Sequence, residues 1–380
     1  MGSSRKIAFV LTAPSALRAF MGDHIRALAQ RYEVTVYCNF SADPCRNLFE
    51  ESVRLVHIPF ARKISPLQDT ACFLWLLGEL RKGKFFSIHS VMPKTGLLGM
   101  VAGWLVRIPV RIHLFTGQVW VTKKGMSRTF LKILDTWIAW CSTVLYVDSP
   151  SQRDFLLSEG VIRSGCVLGD GSVNGVNPDR FKPDEASRSY VRKLHQIPAD
   201  AVVFGFLGRL NRDKGVLDLV KAFSMSALQG RAVVLFVGPD EDGIEELVRT
   251  QHGEIEKHIR FAGFTPEPEK VVPAFDVFCI PSYREGFGSS VIEAAACGVP
   301  ALASRIYGLT DAVVENVTGL MHEPGNIHEI SEGLKRFAAD EPLRRQMGKA
   351  ARERVWSRFS TERLVSQMVQ EYEKLFSQAE

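Results

Sequence analysis

Short apolar runs alternate with longer amphipathic stretches along the chain, a pattern typical of an α/β protein with parallel sheets. The apolar runs are continuous, as expected for strands that are covered on both faces. In the first half they predict strands at Lys6–Leu11, Val34–Tyr37, Val53–Ile58, Phe85–His89, Val110–Phe115, Val144–Asp148 and Cys166–Leu168. In the second half they predict strands at Val202–Leu207, Ala232–Val237, Ile259–Phe261, Val277–Ile280, Ala301–Ala303 and Gly319–His322. Helical periodicity lies between these runs, and it predicts amphipathic helices at Thr129–Ser142 and Thr361–Gln378.

The chain is expected to form two domains. Periodicity fades from Asn174 to Lys193, where Pro and Asp cluster, so this stretch is predicted to be a linker. We therefore expect one domain over residues 1–183 and a second over residues 184–359.

Composition fits a globular protein, with 380 residues of which 46% are hydrophobic and 23% charged. The sequence contains no run of 18 or more uncharged apolar residues, so no membrane-spanning helix is expected. The opening MGSSRKIAFVLTAP has too short an apolar run for a signal peptide and is expected to be a strand. The seven cysteines are odd in number and lack metal-site spacing, so reduced thiols in a cytoplasmic protein are expected.

Positive charge is concentrated in the first third of the chain. Residues 1–134 hold 19 Lys and Arg against seven Asp and Glu, whereas the whole chain has a net charge of only +5. Such a split indicates an anionic partner, which could be a membrane surface, a phosphorylated acceptor or nucleic acid. One candidate cluster combines basic residues with two tryptophans that are expected to be exposed: Lys123, Lys124, Arg128 and Lys132 with Trp120 and Trp137. A second candidate patch comprises Arg62, Lys63, Arg81, Lys82 and Lys84.

The stretch Phe278–Pro300 carries the most specific chemistry. It combines a buried strand, a glycine-punctuated loop and a helix whose N-cap is expected to be Ser289 or Ser290. The helix N-terminus and the loop backbone favour a phosphate group. The loop residues expected to face the ligand are Gly286, Phe287, Gly288, Ser289 and Ser290. Two carboxylates eight residues apart, Glu285 and Glu293, suit the hydroxyl groups of a sugar-containing ligand.

Two cations follow an earlier strand of the same half. Arg209 and Lys214 lie in a strand-to-helix turn, where they could neutralise a leaving diphosphate. A metal ion is the alternative, and Asp240, Glu241 and Asp242 offer carboxylates for it. Because that run lies in a turn, we interpret it as a solvated charge run and predict a metal-independent site without a cofactor.

The motif Glu285-x7-Glu293 followed by AAACGVPALAS resembles the donor-site signature of family 4 of the retaining glycosyltransferases, which have the GT-B fold. Four other segments agree in the same order, namely NGVNPDRF (174–181), FLGRLNRDKG (206–215), FVGPDEDG (236–243) and ENVTGLMHEPGN (315–326). The resemblance implies two Rossmann-like domains facing a central cleft. It also implies that a C-terminal helix, within residues 360–380, returns to the N-terminal domain.

The resemblance assigns roles on the donor side. It implies that Glu293 binds the ribose of a nucleotide and that Glu285 contacts the transferred sugar, with Arg209 and Lys214 at the leaving group. The base is expected near Phe261–Thr265, which includes Phe264. Gly22 stands where relatives place a glycine-rich loop near the donor phosphates.

On the acceptor side, many relatives have a histidine at the position that Thr116 occupies here. A hydroxyl group cannot exchange protons near neutral pH as an imidazole can. The acceptor-side candidates are therefore His89, at a predicted strand end, together with Thr116 and Lys94. His113 lies inside a predicted strand and is expected to be a core histidine.

The sequence thus predicts a retaining glycosyltransferase that moves a hexose or N-acetylhexosamine from a nucleotide sugar, with UDP favoured, to a lipid-linked saccharide. The expected setting is surface polysaccharide or lipopolysaccharide synthesis at the inner face of the cytoplasmic membrane. One alternative is a UDP-N-acetylglucosamine 2-epimerase-like enzyme of the same fold, which the paired glutamates and the two cations disfavour. The other is a non-catalytic membrane or nucleic-acid binder, which leaves the Glu-Gly-x-Gly loop unexplained, so no nucleic-acid partner is expected.

Overall fold

The computed structural model describes residues 5–41, 43, 45, 48–49, 52–61, 64–251 and 253–379. The chain divides into two compact units, the first formed by residues 1–174 with 361–380 and the second by residues 175–360. The division at 174/175 precedes the boundary expected from the sequence, because Val176 pairs with Ser360 and Phe181 packs in the core of the second unit. In the described part of the chain, no helix has the length and apolarity needed to span a membrane.

The described residues of the first unit form a parallel sheet with the strand order β3-β2-β1-β4-β5-β6-β7. Its strands are β1 (Lys6–Val10), β2 (Glu33–Cys38), β3 (Val53–His57), β4 (Ser87–Val91), β5 (Val110–Phe115), β6 (Val144–Val147) and β7 (Cys166–Val167). Its helices before the second unit are α1 (Pro14–Ala16), α2 (Gly22–Ala29), α3 (Pro66–Gly83), α4 (Pro93–Val106), α5 (Gly125–Cys141) and α6 (Pro150–Ser158). Apolar side chains cover both faces of this sheet, which explains why its strands appear as continuous hydrophobic runs.

The segment after β1 is helical. Helix α1 continues into a π-helical turn (Leu17–Met21) and then into α2. Leu17, Met21, Ile25 and Leu28 recur at three- and four-residue spacing and are all buried, so one apolar stripe stabilises the whole segment.

The described residues of the second unit form a parallel sheet with the order β10-β9-β8-β11-β12-β13. Its strands are β8 (Val202–Leu207), β9 (Ala232–Val237), β10 (Ile259–Phe261), β11 (Val277–Ile280), β12 (Ala301–Ser304) and β13 (Gly319–His322). Their bounds agree with the predicted ones to within a residue. Its helices are α7 (Glu185–Leu194), α8 (Val216–Met225), α9 (Ile244–Gln251), α10 (Ser289–Ala296), α11 (Leu309–Ala312), α12 (Ile327–Ala339) and α13 (Glu341–Arg358).

Helix α7 occupies residues 185–193 of the stretch that was expected to be a linker, so that prediction is wrong for its second half. Asp184 caps the helix by accepting a hydrogen bond from the Ser187 amide at 3.1 Å. Arg188 and Arg192 then each donate to the Asp276 carboxylate at 2.6 Å. These long-range ion pairs join the charged helix to the rest of the second unit, and the local sequence gives no sign of them.

The last helix, α14 (Thr361–Gln378), belongs to the first unit, as the resemblance implies. Its residues Leu364, Met368, Tyr372 and Phe376 are buried at four-residue spacing. The cysteines of the described chain are free thiols, and all except Cys166 are buried.

Candidate functional site

The candidate donor residues cluster where the strand order of the second sheet reverses. The chain runs outward from β8 to β10 and then returns to β11, which lies beside β8. In open α/β sheets, ligands bind outside the carboxyl ends of the two strands at such a switch point. The turn Gly208–Gly215 follows β8 and the loop Pro281–Gly288 follows β11, so both lie at this position.

A buried aromatic ring fixes the loop after β11. The side chain of Phe287 is 2% exposed and packs edge-on against Phe359, with ring centroids 5.1 Å apart. Gly288 then turns into α10 with a φ of 83°, and a Cβ atom there would lie 2.5 Å from Leu309. Phe287 can therefore serve a ligand only through its backbone, while its side chain holds the loop in place.

Helix α10 is capped differently from the sequence expectation. The N-cap is Gly288, and no side chain makes a capping hydrogen bond. Ser289 and Ser290 are instead the first two helical residues, and both are partly exposed. The first-turn amides of a helix lack intrahelical acceptors, so this end of α10 can donate to an anionic ligand.

Lys214 and Glu285, predicted separately from the sequence, meet at the centre of the site. The Lys214 Nζ atom lies 2.5 Å from Glu285 Oε1, and both side chains are largely buried. Ser282, which is fully buried, donates its hydroxyl proton to the same Oε1 atom at 2.8 Å. Two donors thus fix the Glu285 carboxylate through one oxygen.

Further contacts join the turn after β8 to the loop after β11. Arg284 Nε donates to Asp213 Oδ2 at 2.9 Å, and the Tyr283 amide donates to the Asp213 carbonyl at 2.9 Å. A Cβ atom on Gly215 would lie 2.0 Å from the Pro281 carbonyl oxygen, so only glycine allows this approach. The two segments therefore form one braced platform.

Glu293 lies in α10 and is partly buried. Burial raises the pKa of Glu293 to about 7, Arg180 opposes that rise, and Glu269 adds to it. Arg180 and Glu269 pair with each other at 2.8 Å. The Asn177 side chain accepts hydrogen bonds from the Asp179 and Arg180 amides, and so shapes the turn that positions Arg180. A carboxyl group with a perturbed pKa beside other charges is characteristic of a functional site.

Arg209 is exposed and pairs with Glu241 at 3.0 Å. The acidic run is exposed, as expected of a solvated charge run, but its carboxylates also make defined contacts. Asp240 accepts hydrogen bonds from the Ile244 and Glu245 amides at the start of α9. Asp242 accepts one from the Arg212 amide at 2.9 Å. Within the described ranges, no three His, Cys, Asp or Glu side chains are grouped as metal ligands would be.

Phe264 follows β10 and is exposed, so its ring is available to a ligand. Nearby, Phe261 stacks on Phe236 with ring centroids 5.3 Å apart. Arg260, the residue before Phe261 in β10, donates to the His195 carbonyl at 2.9 Å.

His89 does not lie at a strand end, which corrects its predicted position. It is the middle residue of β4, is 0% exposed, and its Nδ1 atom lies 2.7 Å from the Tyr372 hydroxyl of α14. Burial lowers the pKa of His89 to about 3, so the imidazole is neutral near pH 7. In this structure it contributes to the core and is shielded from any acceptor. His113 is likewise buried, with its Nδ1 atom 2.8 Å from Ser90 Oγ.

The other first-unit candidates lie nearer the carboxyl ends of their strands. Lys94 is the second residue of α4, directly after β4, and it pairs with Asp69 at 2.8 Å. Because β1 and β4 are the strands at which the first sheet reverses order, Lys94 lies at its switch point. Thr116 follows β5, and its carbonyl accepts from Gln152 at 2.7 Å. Gly22 is the buried first residue of α2.

The basic cluster of the first unit differs from expectation in one residue. Trp120 is buried and donates to Asp135 at 2.7 Å, so its predicted exposure is wrong. Trp137 is exposed as predicted. Arg128 and Lys132 both pair with Glu159, at 2.9 and 2.7 Å. In the second patch, Arg62 and Lys63 lie outside the described residues.

Sequence reasoning missed the residues that orient the candidate site: Ser282, Asp213, Arg284 and Arg180. A serine three residues before a glutamate carries no recognisable signal. The Asn-Pro-Asp turn before Arg180 does carry one, because asparagine side chains cap such turns.

Two family models match the chain. The one described as "Glycosyl transferases group 1" covers residues 188–354, and the one described as "Glycosyl transferase 4-like domain" covers residues 16–168.

Two curated relatives match over most of the chain. The chain is 29% identical to the capsular polysaccharide biosynthesis glycosyltransferase CapM of Staphylococcus aureus, over 85% of this chain and 86% of that protein. It is 25% identical to the Escherichia coli UDP-Gal:alpha-D-GlcNAc-diphosphoundecaprenol alpha-1,3-galactosyltransferase, over 83% and 82% of the two chains.

Solved structures with similar folds include sucrose-phosphate synthase from Thermosynechococcus elongatus, with a TM-score of 0.81, 23% identity and coverage of 98% and 100% of the two chains. Anabaena HepE in complex with UDP and glucose has a TM-score of 0.79 with 17% identity, over 97% and 100%. Likeness at this level of identity establishes the fold alone, and it confirms the expected pair of Rossmann-like units.

Proposed function

Because the chain belongs to the group 1 glycosyl transferases and has the GT-B fold, we propose that it transfers a hexose or N-acetylhexosamine from a UDP-sugar to a lipid-linked saccharide. The proposed reaction retains the anomeric configuration and serves surface polysaccharide synthesis. The observation that carries the proposal is the contact between Lys214 and Glu285 at the switch point of the second sheet. It supports the proposal because a cation that could bind a diphosphate lies next to a carboxylate that could accept a sugar hydroxyl.

On the donor side, we assign the ribose hydroxyls to Glu293 and the diphosphate to Lys214, Arg209 and the N-terminus of α10. The base would lie near Phe264. UDP is favoured because the E. coli relative is named for UDP-Gal and HepE binds UDP together with glucose.

The bond that breaks joins the sugar to the diphosphate, so negative charge grows on the leaving group during the reaction. Lys214 can stabilise that charge most strongly in the transition state, when the diphosphate separates from the sugar. Since Lys214 and Ser282 both contact Oε1 of Glu285, we assign Oε2 to a hydroxyl of the transferred sugar. We propose that no metal ion takes part.

On the acceptor side, the E. coli relative is named for a diphosphoundecaprenol-linked sugar and the S. aureus relative for capsular polysaccharide. A diphosphate acceptor in an anionic membrane surface suits the net positive charge of the first third of the chain. Lys94 and Thr116, near the carboxyl ends of β4 and β5, are the candidate acceptor contacts.

Sugar transfer tests the proposal directly. Purified protein would be incubated with radiolabelled UDP-, GDP- and dTDP-sugars and with synthetic polyprenyl-diphosphate monosaccharides, with and without EDTA. We expect label from a UDP-sugar in the lipid fraction, an unchanged rate in EDTA, and a retained anomeric configuration by NMR. Transfer from no nucleotide sugar, or conversion of the donor to an epimer without any acceptor, would contradict it.

A further inference from the structure

Helix α5 carries a second apolar stripe on the side that faces away from the core. Its members are Met126, Phe130, Ile133, Trp137 and Trp140, which we call the α5 stripe and which are 49–90% exposed. Their spacing of four, three, four and three residues places them within roughly 80° of arc, at 100° per residue. A different face of the same helix packs on the sheet through Ile138 and Cys141. The stripe is therefore a continuous surface that the fold of this chain leaves uncovered.

The neighbouring helix extends this surface. The rings of Trp104 in α4 and Trp140 lie 5.2 Å apart between centroids, and Trp104 and Leu105 are both more than two-fifths exposed. The stripe itself runs from Met126 to Trp140, fourteen residue steps or ~21 Å along the helix axis. This length and the three tryptophans suit a helix that lies in the plane of a membrane interface.

The charges around the stripe decide between a lipid surface and a second copy of the chain. Lys123 and Lys124 directly precede α5 and are exposed, while Arg128 and Lys132 lie on its polar side. The only acidic residue within α5 is Asp135, which is buried and accepts a hydrogen bond from Trp120. A second copy would bring the same lysines to the stripe without acidic residues from α5 to match them. An anionic bilayer supplies both partners, since its headgroups carry the opposite charge and its acyl chains form an apolar layer beneath them.

From these observations we infer that the α5 stripe inserts into the interfacial layer of an anionic bilayer, with Lys123 and Lys124 binding headgroups at one end. The inference rests on the proposed function in one respect, since it gives a membrane-borne acceptor a surface to which the enzyme docks. It adds that docking has an apolar component, which salt does not screen, beside the electrostatic one.

Flotation with vesicles of phosphatidylglycerol and phosphatidylcholine, in 0.05 and 0.5 M NaCl, tests the inference. The stripe variant is Phe130→Ser, Ile133→Ser and Trp137→Ser. The matched control replaces three exposed apolar residues of the second unit, Tyr190→Ser, Leu194→Ser and Trp356→Ser. We expect wild type and control to keep a bound fraction at high salt, and the stripe variant to bind at least tenfold more weakly there. Replacing Lys123 and Lys124 with Gln should weaken binding mainly at low salt.

Quenching by bromine-labelled acyl chains reports insertion itself. Wild-type tryptophan fluorescence should be quenched, and Trp137→Phe with Trp140→Phe should remove most of the quenching while the protein still floats. Complete loss of wild-type binding in 0.5 M NaCl without quenching would overturn the inference. So would a wild-type dimer, measured by sedimentation velocity, that the stripe variant converts to a monomer.

Transfer to a short-chain, water-soluble acceptor without vesicles separates this inference from the proposed function. The stripe variant should retain wild-type transfer there. A wild type that inserts into vesicles but transfers no sugar would leave the inference standing and refute the proposed function.

Discussion

Glu293 provides the clearest test of the donor site, because its negative charge should lower the stability of the folded protein and strengthen nucleotide binding. Burial raises the pKa of this carboxyl from 4.5 to about 7. The folded protein therefore binds the proton more tightly than the unfolded chain does. The stability that the protonated group contributes is fully present below pH 4.5 and is lost as pH rises through 7.

The size of the effect follows from the shift. A rise of the pKa from 4.5 to about 7 corresponds to about 3 kcal/mol in the free energy of unfolding, at about 1.36 kcal/mol per pKa unit. Glu293→Gln cannot ionise, so above pH 8 it should be more stable than wild type by up to ~3 kcal/mol. At pH 4.5 the difference should nearly vanish. Urea unfolding monitored at both pH values, without nucleotide, measures it.

Nucleotide binding should change in the opposite direction. If the ionised carboxylate accepts the ribose hydroxyls, UDP affinity should rise about thirtyfold from pH 5.5 to 8 as Glu293 loses its proton. The phosphate of UDP titrates near pH 6 as well. The Gln variant corrects for that, since its profile contains only the titration of the ligand. Calorimetric titrations of both proteins across this range provide the comparison.

Two results would refute this reasoning. A Gln variant that binds UDP as tightly as wild type, with the same pH profile, would remove Glu293 from the ribose site. A variant with unchanged stability at pH 8.5 would show that the carboxyl is better solvated than its surroundings indicate.

Three further predictions concern the braced platform and the second unit. In steady-state assays, Lys214→Ala should lower kcat on the order of a hundredfold, with a smaller change in UDP affinity. Full activity of this variant would exclude Lys214 from the leaving-group site. Ser282→Ala removes a hydrogen bond to the Glu285 carboxylate, and such a bond is worth ~1.5–3 kcal/mol. We expect kcat to fall at least tenfold while UDP affinity, measured by calorimetry, stays constant. An unchanged kcat would make Ser282 merely structural. Asp276→Ala removes the carboxylate that pairs with Arg188 and Arg192. Urea unfolding should show that the second unit is less stable by about 3–5 kcal/mol. A loss below about 1 kcal/mol would show that solvent screens these ion pairs.

The strands of the second unit were predictable because both faces of a parallel sheet are covered. Ala232–Val237, for example, is a continuous apolar run between Arg231 and Gly238. The same rule misplaced β4, because Phe85 and Phe86 extend the apolar run toward the N-terminus although the strand begins at Ser87. That shift of two residues placed His89 at a strand end, whereas it lies mid-strand against Tyr372.

The residues missed in the candidate site depend on contacts that are distant in sequence. Glu285 and Lys214 could be found singly, but their ion pair spans 71 residues of chain. Trp120 looked like a surface anchor beside basic residues, but its ring stacks on Phe155 and its indole N–H donates to the Asp135 carboxylate of α5. The sequence of helix α7 is too charged to suggest a packed helix. Its two arginines pair with Asp276, which lies more than 80 residues away, so the local sequence could not show that the charges are compensated.

The central claim is that this chain binds a UDP-sugar at the carboxyl ends of β8 and β11. The most direct measurement is the thermal stability of wild type and of Lys214→Ala with UDP-, GDP- and dTDP-sugars, because a ligand that binds only the folded state raises the melting temperature. We predict that a UDP-sugar raises the melting temperature of wild type and raises that of Lys214→Ala clearly less. An absence of any shift, or equal shifts of both proteins, would contradict it.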